Sequence, residues 1–269
     1  MPAAGATVKC APCYSFPFVS TWCPSGVVVE PASTPASPYG DHSPGASGIE
    51  EPEPDDGSSG RLVIEFAGTP RAGKTSAMHG LSRHLRSLDL RVHLIEERAG
   101  SWPFRSRRHP HFSLWTATAT SALMLEAVHA EADVVLVDRG LFDSLCWMDW
   151  YRRTGDLTED DHEAIERFLR VAPLRELVHL VFVMTVAPDV ALQRELLTRL
   201  TGRERGPGTI VNTSTLLELN ASIAAAADRH RGAFNLHELD TTATNREQTL
   251  ETVAGTVHGR VGAGIPSGR

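Results

Sequence analysis

Residues 62–76 read LVIEFAGTPRAGKTS, an apolar run that breaks at Gly68 and resumes, after Gly73-Lys74-Thr75, in a helix-forming segment. Few local patterns constrain a fold so tightly. The spacing Gly68-x4-Gly73-Lys74-Thr75 works only between a strand and a helix. There, loop N–H groups cradle phosphate oxygens, the helix N-terminus adds positive potential, the lysine bridges β- and γ-phosphates, and the hydroxyl binds magnesium. Gly68, Thr69, Pro70, Arg71, Ala72, Gly73, Lys74, Thr75 and Ser76 are therefore the candidate nucleotide-binding residues. Composition singles out one of them. Of 26 Lys and Arg residues only Lys9 and Lys74 are lysines. A compact ammonium at the one folded-region position where a planar guanidinium would not fit marks that side-chain type as required.

From Arg61 onward, short β-rich runs at 62–68, 91–97, 132–138, 177–186 and 234–240 alternate with helical stretches near 74–88, 112–131, 141–153, 159–171, 188–200, 213–231 and 245–258. Near-continuous apolar strands separated by helices predict an α/β fold. Its form is three layers, a five-stranded parallel sheet with helices on both faces. Residues 1–60 differ in kind: rich in Pro, Ser, Gly and Ala, they hold seven acidic side chains against Lys9 alone, six of the chain's seven net negative charges. Such a segment buries too little apolar surface to offset chain entropy. It is expected as a disordered acidic tail, followed by a single folded domain over 61–260 and a flexible C-terminus over 261–269.

The near-neutral remainder argues against a general polyanion binder, so no nucleic-acid partner is expected. No run approaches the roughly 18–20 apolar residues of a membrane span, and no secretory signal is legible, which predicts a cytoplasmic protein. Cys10 and Cys13 have the spacing of half a zinc site, but Cys23 is the only nearby thiol and no second close pair follows.

No Asp-x-x-Gly follows the third strand and no Asn-Lys-x-Asp occurs near the later ones, which disfavours a guanine-specific switch. The third strand ends VVLVDRG without the Asp-Glu pair that would polarise a water, so transfer is the more natural outcome than hydrolysis. At its end stands Asp138-Arg139-Gly140, and the second strand ends LIEERAGSW, with Glu97 five positions before Trp102. Farther on, RELLTRLTGRERGPG places Arg194, Arg199, Arg203 and Arg205 at a helix end and in a glycine-containing loop.

Together with the phosphate loop, these pieces resemble the P-loop nucleoside and nucleotide kinases, particularly deoxynucleoside kinases and thymidylate kinases, over about Arg61 to Gly259. The resemblance implies ATP as donor and Mg2+ as its metal, held by Thr75 and Asp138. Glu97 is implied as the base at the acceptor hydroxyl, Arg139 as a residue near the transferred or acceptor phosphate, and Arg199, Arg203 and Arg205 as a lid over ATP. The family's Pro after that Glu is absent, Arg98 standing there, so Glu96 remains an alternative base. Arg71 departs from the Gly common at its position. Arg105, Arg107, Arg108, His109 and His111 could hold an acceptor phosphate or form a solvated loop; Trp102, Phe104, Phe112 and Trp115 could stack a base or belong to the core.

The expected activity is a phosphotransferase acting on a small acceptor, a nucleoside or nucleotide first. An antibiotic-hydroxyl kinase is the nearest alternative, and a P-loop ATPase regulating a protein partner comes from a different class; a homodimer stays open.

Overall fold

Gly68 ends a strand whose every residue but the first is buried, and the sheet forms around that strand. A computed structural model of the chain describes residues 61–98, 109–201 and 212–264, with side chains as far as residue 259. Among them are β1 (Leu62–Gly68), α1 (Lys74–Arg86), β2 (Val92–Ile95), α2 (Pro110–Ala127), β3 (Val134–Asp138), α3 (Leu141–Thr154), α4 (Glu159–Leu169), α5 (Ala172–Arg175), β4 (Leu180–Thr185), α6 (Pro188–Leu200), α7 (Thr213–His230), β5 (Leu236–Asp240) and α8 (Arg246–Gly264). The strands form one parallel sheet in the order β2-β3-β1-β4-β5. This is the expected three-layer α/β architecture. The tail at 1–60 lies outside the described residues, and α8 continues to Gly264, into the stretch expected as a flexible C-terminus. No described helix is long and apolar enough to cross a membrane.

Strand residues alternate between two cores, as a pleated sheet covered on both sides requires. Val63, Ala67, Val135, Val137, Val181 and Val183 pack with residues of α2, α3 and α7. Ile64, Phe66, Leu136, Phe182 and Met184 pack with α1 and α8. Helix α1 shows why it lies where it does: its residues at 74, 77, 78, 81 and 85 are buried, the spacing of one helical face. Full burial of Leu81 and Leu85 contributes about 2 kcal/mol each.

This layering positions the site. β1 is followed by α1 on one face, and its neighbour β3 by α3 on the other. A crevice therefore opens between the C-terminal ends of β1 and β3, where parallel sheets bind ligands.

Candidate active site

The loop after β1 is tied down by its own backbone. Gly68 has φ 121°, and a Cβ there would lie 2.0 Å from the carbonyl oxygen of Met184 on β4, so no other residue fits. Thr69 N–H donates to that same oxygen at 2.9 Å. Gly73, at φ 93°, turns the chain into α1. Lys74, buried at the start of the helix, donates from Nζ to the carbonyls of Gly68 and Thr69, both at 2.8 Å. Burial, reinforced by the Arg139 charge, lowers its pKa to about 8. A cavity of about 470 Å³ opens over this loop and is also lined by Glu97, Arg139, Arg194 and Arg246.

Thr75 donates its hydroxyl proton to Asp138 Oδ2 across the gap between α1 and β3. The second oxygen, Asp138 Oδ1, is buried and has no hydrogen-bond partner among the described residues. Burial raises the pKa of this carboxyl. Arg139 follows in a left-handed conformation, φ 64°. Its Nε stands 2.8 Å from Glu97 Oε1, and its Nη1 donates to Asp143 Oδ2 at 3.0 Å. The two glutamates after β2 diverge: both are exposed, but Glu97 lines the cavity and meets Arg139, whereas Glu96 lies 3.9 Å from His79 and outside the cavity lining.

Several members of the site escaped sequence reasoning. Glu65, in the middle of β1, is fully buried, and its carboxylate accepts N–H bonds from Gly140, Phe142 and Asp143 at the start of α3. Burial pushes its pKa up to about 7 against the pull of those three donors. Asp143, also buried, accepts from Gly68 N–H at 2.8 Å and from Trp147 Nε1 at 3.1 Å. The available signal for Glu65 was a carboxylate interrupting an otherwise apolar strand, a placement that is costly unless it is compensated. Asp143 had no comparable signal, because acidic residues in a first helical turn are common.

On the other flank, α6 grips the loop. Arg71, at φ 66°, pairs through its side chain with Glu195, which also pairs with Arg199 at 2.6 Å. Arg194 donates to the Arg71 carbonyl, and to the hydroxyl and carbonyl oxygens of Thr241. Arg194 thus serves the loop's backbone, and Arg199 sits at the end of α6. Arg203 and Arg205 lie outside the described residues, as do Trp102, Phe104, Arg105, Arg107 and Arg108. His109 caps α2, its ring nitrogen accepting from His111 N–H at 3.2 Å. Phe112 and Trp115 are half-buried on α2.

Among solved structures, the deoxyadenosine kinase of M. mycoides with bound dCTP matches with a TM-score of 0.57 and 15% identity, over 74% of this chain and 100% of that one. The same enzyme with products dCMP and dCDP matches with a TM-score of 0.58 and 16% identity over 74% and 100%. With bound dATP the values are 0.57 and 16% over 73% and 100%. The chain has the fold of these kinases. No protein-family model matches it, and no curated protein sequence does. The expected resemblance to deoxynucleoside kinases therefore holds as a likeness of fold.

Proposed function

We propose that the protein transfers the γ-phosphate of Mg-ATP to a small hydroxyl or phosphate acceptor, a nucleoside or nucleotide before any other. One observation carries this reading. Glu97 and Arg139, from two different strand ends, meet at 2.8 Å in the wall of the same cavity as the phosphate loop. A carboxylate there can accept the proton of an acceptor hydroxyl, and the guanidinium beside it can face the charge of the transferred group. Support comes also from the fold shared with kinases solved with deoxynucleotides.

In this reading Lys74 presents its ammonium to the β- and γ-phosphates, and Glu97 accepts the proton of the acceptor hydroxyl as the new P–O bond forms. Arg139, held by Asp143, faces the charge of the transferred group. Arg71, in the cavity lining, is joined through Glu195 to Arg199 at the end of α6. The buried, unpartnered Asp138 Oδ1 beside the Thr75 hydroxyl fits a hard divalent cation, so Thr75 and Asp138 would hold Mg2+. When bound, Mg2+ neutralises charge on the β- and γ-phosphates.

The test is ADP release by the full chain with Mg-ATP and separate pools of nucleosides, nucleoside monophosphates and hydroxylated antibiotics. Stimulation by one pool that Glu97→Gln abolishes names the acceptor class. Failure of every pool, with basal turnover still dependent on Lys74, turns the search to a protein partner. One observation favours that second reading: Leu196 and Leu200 on α6 and Leu217 on α7 are exposed. Leu197 is exposed as well, but it lines the nucleotide cavity.

A further inference from the structure

Val63 and Ala67, on the same side of β1 as Glu65, meet that face with apolar side chains. A carboxylate buried between them costs several kcal/mol unless something compensates it. Three N–H groups offset part of that cost: Oε1 accepts from Gly140 at 3.0 Å and Asp143 at 2.8 Å, and Oε2 from Phe142 at 3.1 Å. These are donors that a helix start leaves without intrahelical partners. Ordinarily a Ser, Thr, Asp or Asn at the N-cap serves them locally. Here the N-cap is Gly140, with no side chain to offer, and a Cβ on it would lie 2.7 Å from the Glu65 carboxylate. The cap has been moved to a residue 75 positions away in sequence.

A helix needs only a local cap, so the remote one has a further consequence. Arg139, next to Gly140, holds a left-handed conformation that costs a non-glycine residue about 1 kcal/mol. Its N–H is pinned to the carbonyl of Phe66, the neighbour of Glu65, at 3.0 Å. Asp143, whose N–H is bound by Glu65, uses its own carboxylate to hold both Arg139 Nη1 and Gly68 N–H. The links close a circuit from β1 through Glu65, the start of α3 and Asp143 back to the entry of the phosphate loop.

We propose that Glu65 is a positioning residue for phosphoryl transfer, acting through Asp143 to fix Arg139 in register with the phosphate loop. Its catalytic consequence rests on the kinase reading above; the circuit does not. The test is Glu65→Gln in the full chain, read by amide hydrogen exchange and by steady-state kinetics. Gln keeps the shape and one acceptor oxygen but turns an N–H toward the Phe142 N–H. Exchange accelerates at residues 140–143 and also at Gly68, which Glu65 does not touch. The kcat of acceptor-stimulated turnover falls about ten-fold or more while the KM for ATP stays within about two-fold, since misplacing a positioned group weakens the transition state rather than donor binding.

Asp143→Asn keeps Glu65 and disturbs only the later links, so it gives the same kinetic split and the same loss of protection at Gly68 even where Glu65→Gln fails to fold. Unchanged exchange at Gly68 in the soluble variants, or an unchanged kcat, overturns the proposal. If no acceptor stimulates the wild-type protein, the kinase reading falls by itself, and exchange at Gly68 alone decides whether Glu65 governs the loop.

Discussion

The two sides of the crevice between β1 and β3 are built by different means. On the donor side, a continuous stretch from Gly68 to Thr75 makes its own cradle, with Lys74 bonded to carbonyls five and six residues back. On the opposite side, Glu65 from β1, Glu97 from just after β2, and Arg139 and Asp143 from the β3–α3 junction come from three segments, and each link between them uses at least one side chain. Spacing along one stretch of backbone makes the first side legible, although Met184, Asp143 and Arg194 also hold it. The second depends on every partner arriving at once, because an incomplete buried polar network costs more than none.

That contrast can be broken most forcefully on the donor side. Lys74→Ala removes the cradle's only charge-bearing group on α1's first turn, and kcat/KM for acceptor-stimulated ADP release should fall by about a thousand-fold or more. Across the crevice, Glu97→Gln should lower kcat by about a hundred-fold or more, the scale of a general base, with ATP binding retained. Glu96→Gln, changing a side chain turned to solvent, should leave kcat within about two-fold. A large effect of Glu96→Gln and none of Glu97→Gln would reverse the assignment of the base.

The glycines sharpen the comparison through stability. Gly68→Ala forces a Cβ to 2.0 Å from a backbone oxygen at a positive φ, and should destabilise the chain by about 3 kcal/mol or more in urea unfolding. Gly140→Ala meets a side chain instead, at 2.7 Å, and should cost about 1–3 kcal/mol because Glu65 can yield a little. Equal losses would mean that the two sides are equally rigid.

A further effect is set by pH. Lys74 titrates at about 8, and only its ammonium attracts phosphate. Apparent ATP affinity should therefore weaken by about ten-fold between pH 8 and pH 9.5 in titrations. The sign for folding is opposite. The folded pKa lies below the ordinary 10.5, so between about 8 and 10.5 the unfolded chain binds more protons, and this group's contribution to stability improves as pH rises through that window.

Much of the fold was legible because its signals are local. The first strand was expected at 62–68 and forms there, and α6 begins and ends at 188 and 200 as expected. The third and fourth strands are shorter at their N-terminal ends than their apolar runs. Val178 and Ala132 are buried beyond the ladder, so burial extends past hydrogen bonding. The helical stretch expected at 159–171 ends at Leu169, and a separate short turn at Ala172–Arg175 carries the chain to β4. Pro173 explains the break, since it fits a first helical turn but not a helix interior.

By itself, then, the sequence determined that a phosphate-binding loop sits between a buried strand and a helix, and that the one lysine of the folded region stands in it. Spacing along a single stretch of backbone carries that information. Only the tertiary structure decided that Glu97 rather than Glu96 enters the cavity, that Arg71 answers to Glu195, and that Glu65 caps a helix 75 residues away. Those choices follow from the direction in which a side chain leaves its strand or loop and from which element lies beside it. For Glu65 the partner is not set until β3 has brought the start of α3 beside β1.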